Sequence, residues 1–442
     1  QITITNSKPR QLISMDSPTP KTRLISFLKF LEKYTKTDMV YLAYGGFWLT
    51  FGRIGAMILG LGLSIAFANL LDPNQYGTYS YIITTMGIVS AFSLSGLPNA
   101  LLQAAARKER GILGVSFFYH LRWSGAVVVL SWLLAGYYLY RSDELFATAF
   151  FLVGLLSPLL HAFNLYLPYL NGIRAYKKTA RYNILSSLLL TGTMVGALFL
   201  TSNVALLVLT FLGTSVSIAA TLFLLTKVTH DRGELSLQEK LRLYSFSKHL
   251  SVMKILSSTT TQLDKIFVFH FLGAAELALY AFIVLVPNQF RSLLKNAYDL
   301  LVPKYATQNY KSISSSLVSK VLLLGGLTSV FVIIYLTIAP YIYQLLFPVY
   351  VDAIPYSQVY AFTLFGILAM FPNAALTTQE SKKELYLFNG ITAVTRPTIL
   401  FFGIFFWGLW GAVLAQLVLK SLHLSLQYAF FWSAVKKDRL QN

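Results

Sequence analysis

Three charged residues recur at a spacing of four in an otherwise apolar stretch of the chain: Arg291, Lys295 and Asp299. On an α-helix each step of four turns by about 40° and rises about 6 Å, so the three groups form a ladder on one face. A lone charge at the centre of a membrane-spanning helix costs roughly 2.5–3.5 kcal/mol, so such a set must face protein or water. The spacing predicts a wet, basic cavity, although Lys295 and Asp299 also fit a structural ion pair.

A second candidate for chemistry is Asp264, which lies beside Lys265 in the predicted seventh membrane span. An intramembrane carboxylate can hold a proton or a sodium ion, and such residues mark ion pathways in transporters. We therefore predict ion coupling at Asp264 and Asp299. The structural alternative for Asp264 is a salt bridge to Arg291 across two helices.

Two further arginines, Arg53 and Arg396, also fall inside predicted spans. A guanidinium holds a phosphate through two parallel hydrogen bonds and keeps its charge, which makes both residues candidate phosphate ligands. Arg53 could instead extend to the cytoplasmic headgroups. Arg396 precedes Pro397, whose kink frees carbonyl groups for other bonds. The predicted substrate-binding residues are Arg53, Arg291, Lys295 and Arg396.

The sequence predicts neither a metal centre nor a bound cofactor. The histidines show no metal-ligand spacing and the chain has no cysteine, so no metal centre is predicted. No Gly-rich phosphate loop occurs, which excludes ATP as the energy source, and no cofactor is predicted. Lys420 and His423 share one face of the last predicted span, and we interpret them as lining the interior of a lobe.

The elements that position these residues are membrane helices. The chain has 442 residues, of which 55% are hydrophobic, 15% aromatic and only 12% charged, so it is a polytopic membrane protein. Windows of about 20 apolar residues predict twelve spans. The spans cover residues 41–70, 78–101, 118–140, 145–170, 183–200, 204–226, 251–272, 279–302, 321–343, 356–376, 385–405 and 411–431.

The distribution of basic residues predicts the orientation of these spans in the membrane. Of the 36 Lys and Arg, 29 fall in the termini and the even-numbered connections, whereas the odd-numbered connections carry Arg141 alone. By the positive-inside rule both termini are cytoplasmic. The net charge of +19 is therefore mostly a topology signal, and no nucleic-acid partner is predicted.

An internal repeat divides the chain in two. At an offset of 201, the turn from Leu71 to Tyr79 lies over the turn from Leu272 to Tyr280. Both halves start on the cytoplasmic side, so we predict an all-α fold of two six-helix lobes related by a parallel pseudo-two-fold axis. The predicted parts are a tail with an interfacial amphipathic helix at 1–40, lobes at 41–226 and 251–432, a linker at 227–250 and a tail at 433–442.

Two stretches carry a family resemblance. The run LLDPNQYGTYSYIITTMGIVSAFSLSGLPNALLQAAAR (Leu70 to Arg107) resembles the first hairpin of Wzx-type polysaccharide flippases, which belong to the MATE/MurJ-like MOP exporter superfamily. TQLDKIFVFHFLGAAELALYAF (Thr261 to Phe282) resembles their seventh helix and the following turn. The resemblance implies a bacterial inner-membrane transporter that flips undecaprenyl-pyrophosphate-linked oligosaccharide to the outer leaflet. Membrane lipid and polysaccharide polymerases are its implied partners.

Two other classes of protein compete with a flippase. A MATE-type multidrug cation antiporter requires carboxylates in its cavity, and the acidic residues of the first lobe all lie in or beside connections. A polytopic enzyme of polysaccharide assembly commonly has a sizeable outer loop, and the predicted outer loops are short. We therefore expect a transporter rather than an enzyme.

Overall fold

The computed structural model describes residues 39–231, 233–306, 308, 310–379 and 381–441; side chains are described except at 39–44, 252–253, 256–258, 293–304, 306, 382 and 439–441. The predicted amphipathic helix before residue 39 therefore lies outside the described residues, as do the side chains of Lys295 and Asp299. The helices are α1 Met39–Leu70, α2 Pro73–Ser90, α3 Leu97–Ala106, α4 Ile112–Trp123, α5 Gly125–Tyr140, α6 Glu144–Phe163, α7 Tyr166–Gly172, α8 Tyr176–Leu200, α9 Val204–His230, α10 Leu237–Thr261, α11 Leu263–Leu272, α12 Ala274–Ala306, α13 Tyr310–Leu346, α14 Ala353–Ala361, α15 Met370–Thr378 and α16 Lys382–Gln441. Two 3-10 segments, Pro348–Tyr350 and Phe362–Ala369, interrupt the second half.

The prediction of an all-α polytopic membrane protein is confirmed. Within the described residues, eight helical segments are long and apolar enough to cross a membrane. The segments are Gly45–Leu70, Ile112–Tyr140, Glu144–Gly172, Tyr176–Leu200, Val204–His230, Tyr310–Leu346, Ala353–Thr378 and Lys383–Asp438. The predicted crossings over α2–α3, α10–α11 and α12 are not among them. The helices α2 and α12 pack against each other.

The last segment, of 56 residues, is a helical hairpin rather than one helix. Its backbone leaves helical geometry at Gly408, where φ is +55° and ψ is −132°, a conformation that favours glycine. The two arms meet again at their far ends, where Lys437 Nζ lies 2.6 Å from Glu384 Oε1. This turn lies between the two spans predicted at 385–405 and 411–431.

The hairpin depends on a close contact between glycines. A Cβ atom at Gly411 would overlap the carbonyl group of Gly403 on the facing arm. We expect Gly411→Ala to destabilise the protein by about 1–3 kcal/mol, because the arms must separate to admit the methyl group. Thermal unfolding in detergent, followed by tryptophan fluorescence, measures this loss.

Gly192→Ala is the matched control for Gly411→Ala. Gly192 lies inside α8 with nothing within 4 Å of the position its Cβ would take. Alanine there should leave the unfolding temperature unchanged or raise it, since Gly costs a helix about 1 kcal/mol relative to Ala. If Gly411→Ala were as stable as the parent protein, the tight hairpin contact would be refuted.

The helices form two groups, which we call the first lobe (α1–α9) and the second lobe (α11–α16). In the first lobe α1 packs on α8, α5 on α6, and α6 on α9. In the second lobe α11 packs on α16, and α12 packs on α14 and α15. A hydrophobic core that includes Phe67, Phe150, Phe282 and Tyr343 extends through both lobes.

The two repeated turns meet where the lobes join, in what we call the turn contact. A Cβ atom at Gly77 would overlap the backbone of Ala274, so only glycine permits this approach. Deeper in the bundle, the ring of Tyr81 stacks on Phe269 at 3.9 Å between ring centroids, and its hydroxyl lies 3.3 Å from His270 Nε2. The lobes are therefore closed against each other at this end, which the basic residues predict to be the outer end.

The helix α10 connects the lobes but is fastened to the first one. Asp231, just before it, accepts hydrogen bonds from the backbone N–H groups of Leu113 (2.9 Å) and Gly114 at the start of α4. Within α10, Arg242 pairs with Glu109, and Ser251 Oγ accepts from the backbone N–H of Gly96 at 2.8 Å. The helix then ends before Gln262, and α11 begins as part of the second lobe.

Candidate functional site

The second lobe forms an open cavity of about 630 Å³. Its walls come from α12, from the 3-10 segment with α15, and from both arms of the α16 hairpin. The lining residues are Asn288, Arg291, Ser292, Gly366, Ile367, Ala369, Met370, Asn373, Phe388, Lys420, His423 and Gln427. None of these described lining residues is acidic, so the cavity is basic.

Arg291 is held in the cavity wall by a hydrogen-bonded contact. Its Nη2 donates to the carbonyl oxygen of Thr363 at 3.0 Å and lies 3.1 Å from the Thr363 hydroxyl. Thr363 belongs to the 3-10 segment, so this irregular stretch presents both oxygens to the arginine. The anchoring to Thr363 uses one nitrogen, which leaves other donors of the guanidinium fork for the Tyr360 hydroxyl and for a ligand.

Lys420 and His423 complete the basic wall from the second arm of α16. The alkyl chain of Lys420 packs over Gly366, which has no side chain to block it. Lys420 lines the cavity together with Arg291. The ring centroids of His423 and Phe388 are 5.6 Å apart. The Nε2 of His423 is buried without a hydrogen-bond partner in the described structure.

Asp264 lies next to this basic wall, with only 9% of its surface exposed. Its Oδ2 accepts hydrogen bonds from the Tyr280 hydroxyl at 2.8 Å and from Gln416 Nε2 at 2.7 Å. Its Oδ1 is buried and has no partner among the described atoms. No cation of the described chain lies within 4 Å of it, so Asp264 does not form the alternative salt bridge to Arg291. Gln416, which bonds Asp264, lies one helical turn before the cavity residue Lys420 and so links Asp264 to the cavity.

The other predicted site residues lie apart from the cavity lining. Arg396 Nη2 donates to the carbonyl oxygen of Thr261, the last residue of α10, at 3.2 Å. The Nε of Arg396 is buried without a partner in the described structure. Arg53 is exposed on α1 and is not among the lining residues. The structure thus brings Arg291, Arg396 and Asp264 to one region of the second lobe, without Arg53.

Several residues of this region were not selected from the sequence. The sequence predicts Lys420 and His423 only as lining a lobe and Tyr280 only as part of a repeated turn, and it gives no indication of Thr363 or Gln416. A signal was present in the last span, where Gln416, Lys420, His423 and Gln427 follow one another at spacings of four, three and four. This polar stripe marks the helix face that borders Asp264 and the cavity.

Solved structures of MOP superfamily transporters share this fold. An outward-facing multidrug resistance MATE family transporter is 14% identical, covers 91% of this chain and 96% of its own, and has a TM-score of 0.61. A MOP superfamily transporter from Pyrococcus furiosus, described by the reverse polarity of its binding pocket, is 13% identical at 90% and 96% coverage, with a TM-score of 0.61. An inward-facing MATE family transporter is 14% identical at 88% and 99% coverage, with a TM-score of 0.59.

Sequence comparisons add the family. A search of curated proteins gives no significant match. The sequence profile of the family described as polysaccharide biosynthesis protein matches residues 42–294, from α1 into α12. This match spans more than half of the chain, including the Leu70 to Arg107 hairpin and Arg291. The chain therefore belongs to the polysaccharide biosynthesis protein family and has the fold of MOP superfamily transporters, not of an enzyme.

Proposed function

We propose that the protein flips an undecaprenyl-pyrophosphate-linked oligosaccharide from the cytoplasmic to the outer leaflet of a bacterial inner membrane. Both termini face the cytoplasm in this proposal, and transport proceeds by alternating access between the lobes. The observation that carries it is the basic cavity, whose described lining includes Arg291 and Lys420 and no acidic residue, with Asp264 beside the lining rather than in it. The family supports a polysaccharide precursor as substrate, and the fold supports transport.

The charges suit a pyrophosphate group. At an effective dielectric constant near 20, each cation–phosphate contact is worth up to about 4 kcal/mol before desolvation is subtracted. Arg291 supplies a forked donor and Lys420 a compact point charge, so the two can divide the phosphoryl oxygens between them. Arg396 and Lys295 would add charge in the second lobe, and Arg53 would contact the substrate from the first lobe.

A multidrug cation antiporter is the main alternative within this fold. Its substrates are cations, and a cavity with cationic side chains would repel them. The similar transporter from Pyrococcus furiosus is described as having a binding pocket of reverse polarity that suggests a different function. The polarity of the binding pocket therefore differs among transporters with this fold. The basic lining of this chain favours an anionic substrate over a cationic drug.

The proposed function can be tested by the leaflet position of the lipid-linked repeat unit. Depletion of the protein in cells should make these units accumulate on the cytoplasmic leaflet while surface polymer falls. A membrane-impermeant lectin or periodate treatment of right-side-out vesicles distinguishes the leaflets. Unchanged distribution of the repeat units after depletion would refute the flippase assignment.

Asp264 is proposed to bind the coupling ion, with Asp299 as a second candidate. Its buried Oδ1 lacks a partner in the described structure, while Oδ2 is held by Tyr280 and Gln416. We expect Asp264→Asn to keep substrate binding but lose the dependence of transport on the ion gradient, because the amide preserves the shape and removes the charge. Transport in vesicles with imposed proton or sodium gradients measures this. A variant that responds to the gradient as the parent does would exclude Asp264.

A further inference from the structure

A lysine is held between two aromatic rings at the other end of the bundle from the turn contact. Lys248 of α10 places its Nζ 5.2 Å from the ring centroid of Trp123 and 4.8 Å from that of Tyr244. The two rings are themselves linked, because Trp123 Nε1 donates to the Tyr244 hydroxyl at 3.1 Å. Together with the neighbouring Arg122, these residues form what we call the Lys248 cluster.

The height of the Lys248 cluster matches a headgroup layer. From Trp123 to Tyr140 the chain runs 17 residues within the single span Ile112–Tyr140, a rise of about 26 Å. A hydrocarbon core is about 30 Å thick, so these two residues lie near its two faces. Tyr137 and Arg141 form a similar cation–π pair at the opposite face. The Lys248 cluster therefore lies at the level of phosphates rather than in the acyl chains.

The cations of the cluster face outward and are not neutralised by the protein. Both Lys248 and Arg122 are exposed, and no carboxylate of the described chain lies within 4 Å of either. The acidic residues on adjoining elements are engaged elsewhere: Glu239 accepts from Ser236, and Glu109 pairs with Arg107 and Arg242. An external anion is the missing counter-charge.

The surroundings indicate that this anion is attached to a lipid. Trp123, at the level of the cluster, is 38% exposed. Trp and Tyr prefer the membrane interface, where the ring meets acyl chains and the polar atom meets headgroups. We infer that the Lys248 cluster binds the phosphate of an anionic phospholipid, whose acyl chains extend from the exposed ring of Trp123 toward the level of Tyr140.

Such a lipid would bridge α4 of the first lobe and the connecting helix α10. The site would be occupied whatever the transported substrate is, because it uses none of the residues of the second-lobe cavity. Each Lys or Arg near an anionic surface contributes about 1 kcal/mol, so one cation raises the local share of an anionic lipid about fivefold.

Brominated lipids test this inference through the fluorescence of Trp123. The protein is reconstituted in phosphatidylcholine vesicles that contain equal fractions of brominated phosphatidylglycerol or brominated phosphatidylcholine. The difference between the parent protein and Trp123→Phe isolates the Trp123 signal. We expect this signal to be quenched more effectively by the glycerol lipid, and Lys248→Gln or Arg122→Gln each to lower that preference about fivefold.

Lys177→Gln is the matched control, because Lys177 also lies over a tryptophan, at 5.4 Å from the Trp48 ring centroid, but outside the cluster. It should leave the quenching of Trp123 unchanged. Equal quenching by both lipids would overturn the inference. A loss of the glycerol-lipid preference in Lys177→Gln as large as in Lys248→Gln would also overturn it, because general surface charge would then explain the preference. If Trp123→Phe does not fold, lipid retention measured by native mass spectrometry on the lysine and arginine variants replaces the difference signal.

Discussion

Charge reversal at Arg291 or Lys420 is expected to abolish transport of the lipid-linked substrate. Each cation contributes charge-assisted hydrogen bonds worth about 1.5–3 kcal/mol, so alanine at Arg291 should weaken substrate binding about ten- to a hundredfold. Glutamate adds repulsion to that loss and should leave no measurable export. Lysine at Arg291 should cost less, because it keeps the charge and loses only the bidentate fork.

The readout is the accumulation of lipid-linked repeat units on the cytoplasmic leaflet, with surface polymer and protein level measured in parallel. Arg141→Glu serves as the control, because Arg141 lies over Tyr137 at the bundle end and lines no part of the cavity. It should export normally. If Arg291→Glu and Lys420→Glu also exported as the parent does, the basic cavity would not bind the substrate, and its charges would be structural.

Helix architecture was largely predictable because it follows from hydropathy. Apolar windows of membrane length locate most of the helices, and the WGLWG sequence around Gly408 separates two spans that the structure joins in one hairpin. The cost of a charge in lipid also indicates that Arg291 must face protein or water. In the structure Arg291 lines the cavity. These inferences need only local sequence and one energetic rule.

The partners of the charged residues could not be predicted in the same way. Asp264 is bonded by Tyr280 and Gln416, which come from two other helices and lie 16 and 152 positions away. Arg291 is anchored by Thr363, whose accessible carbonyl depends on an irregular 3-10 segment. Such contacts arise from packing between helices, and no periodicity in one helix encodes them. For the same reason the position of Arg53, outside the described lining of the second-lobe cavity, could not be read from its own helix.

Tethering the lobes at the turn contact is expected to stop transport. Gly77 and Ala274 touch there, and alternating access requires the two turns to separate when the opposite end closes. Asn74 and Glu276 each lie within three residues of this contact and are at least partly exposed. The chain has no cysteine, so Asn74→Cys with Glu276→Cys provides a single reactive pair. A flexible bifunctional methanethiosulfonate reagent should cross-link it and block export, and reduction should restore export.

A tether between α10 and the first lobe should have the opposite outcome. Arg242 pairs directly with Glu109, so Glu109→Cys with Arg242→Cys replaces an ion pair by a covalent link. Because Asp231 and Ser251 already hold this segment against α4 and Gly96, it should move with the first lobe, and export should continue after cross-linking. Both tethers join regions distant in sequence, so the comparison separates motion from general rigidity. Export that continues with the turns tethered would exclude their separation, whereas export blocked by the second tether would place the moving boundary before α10 rather than after it.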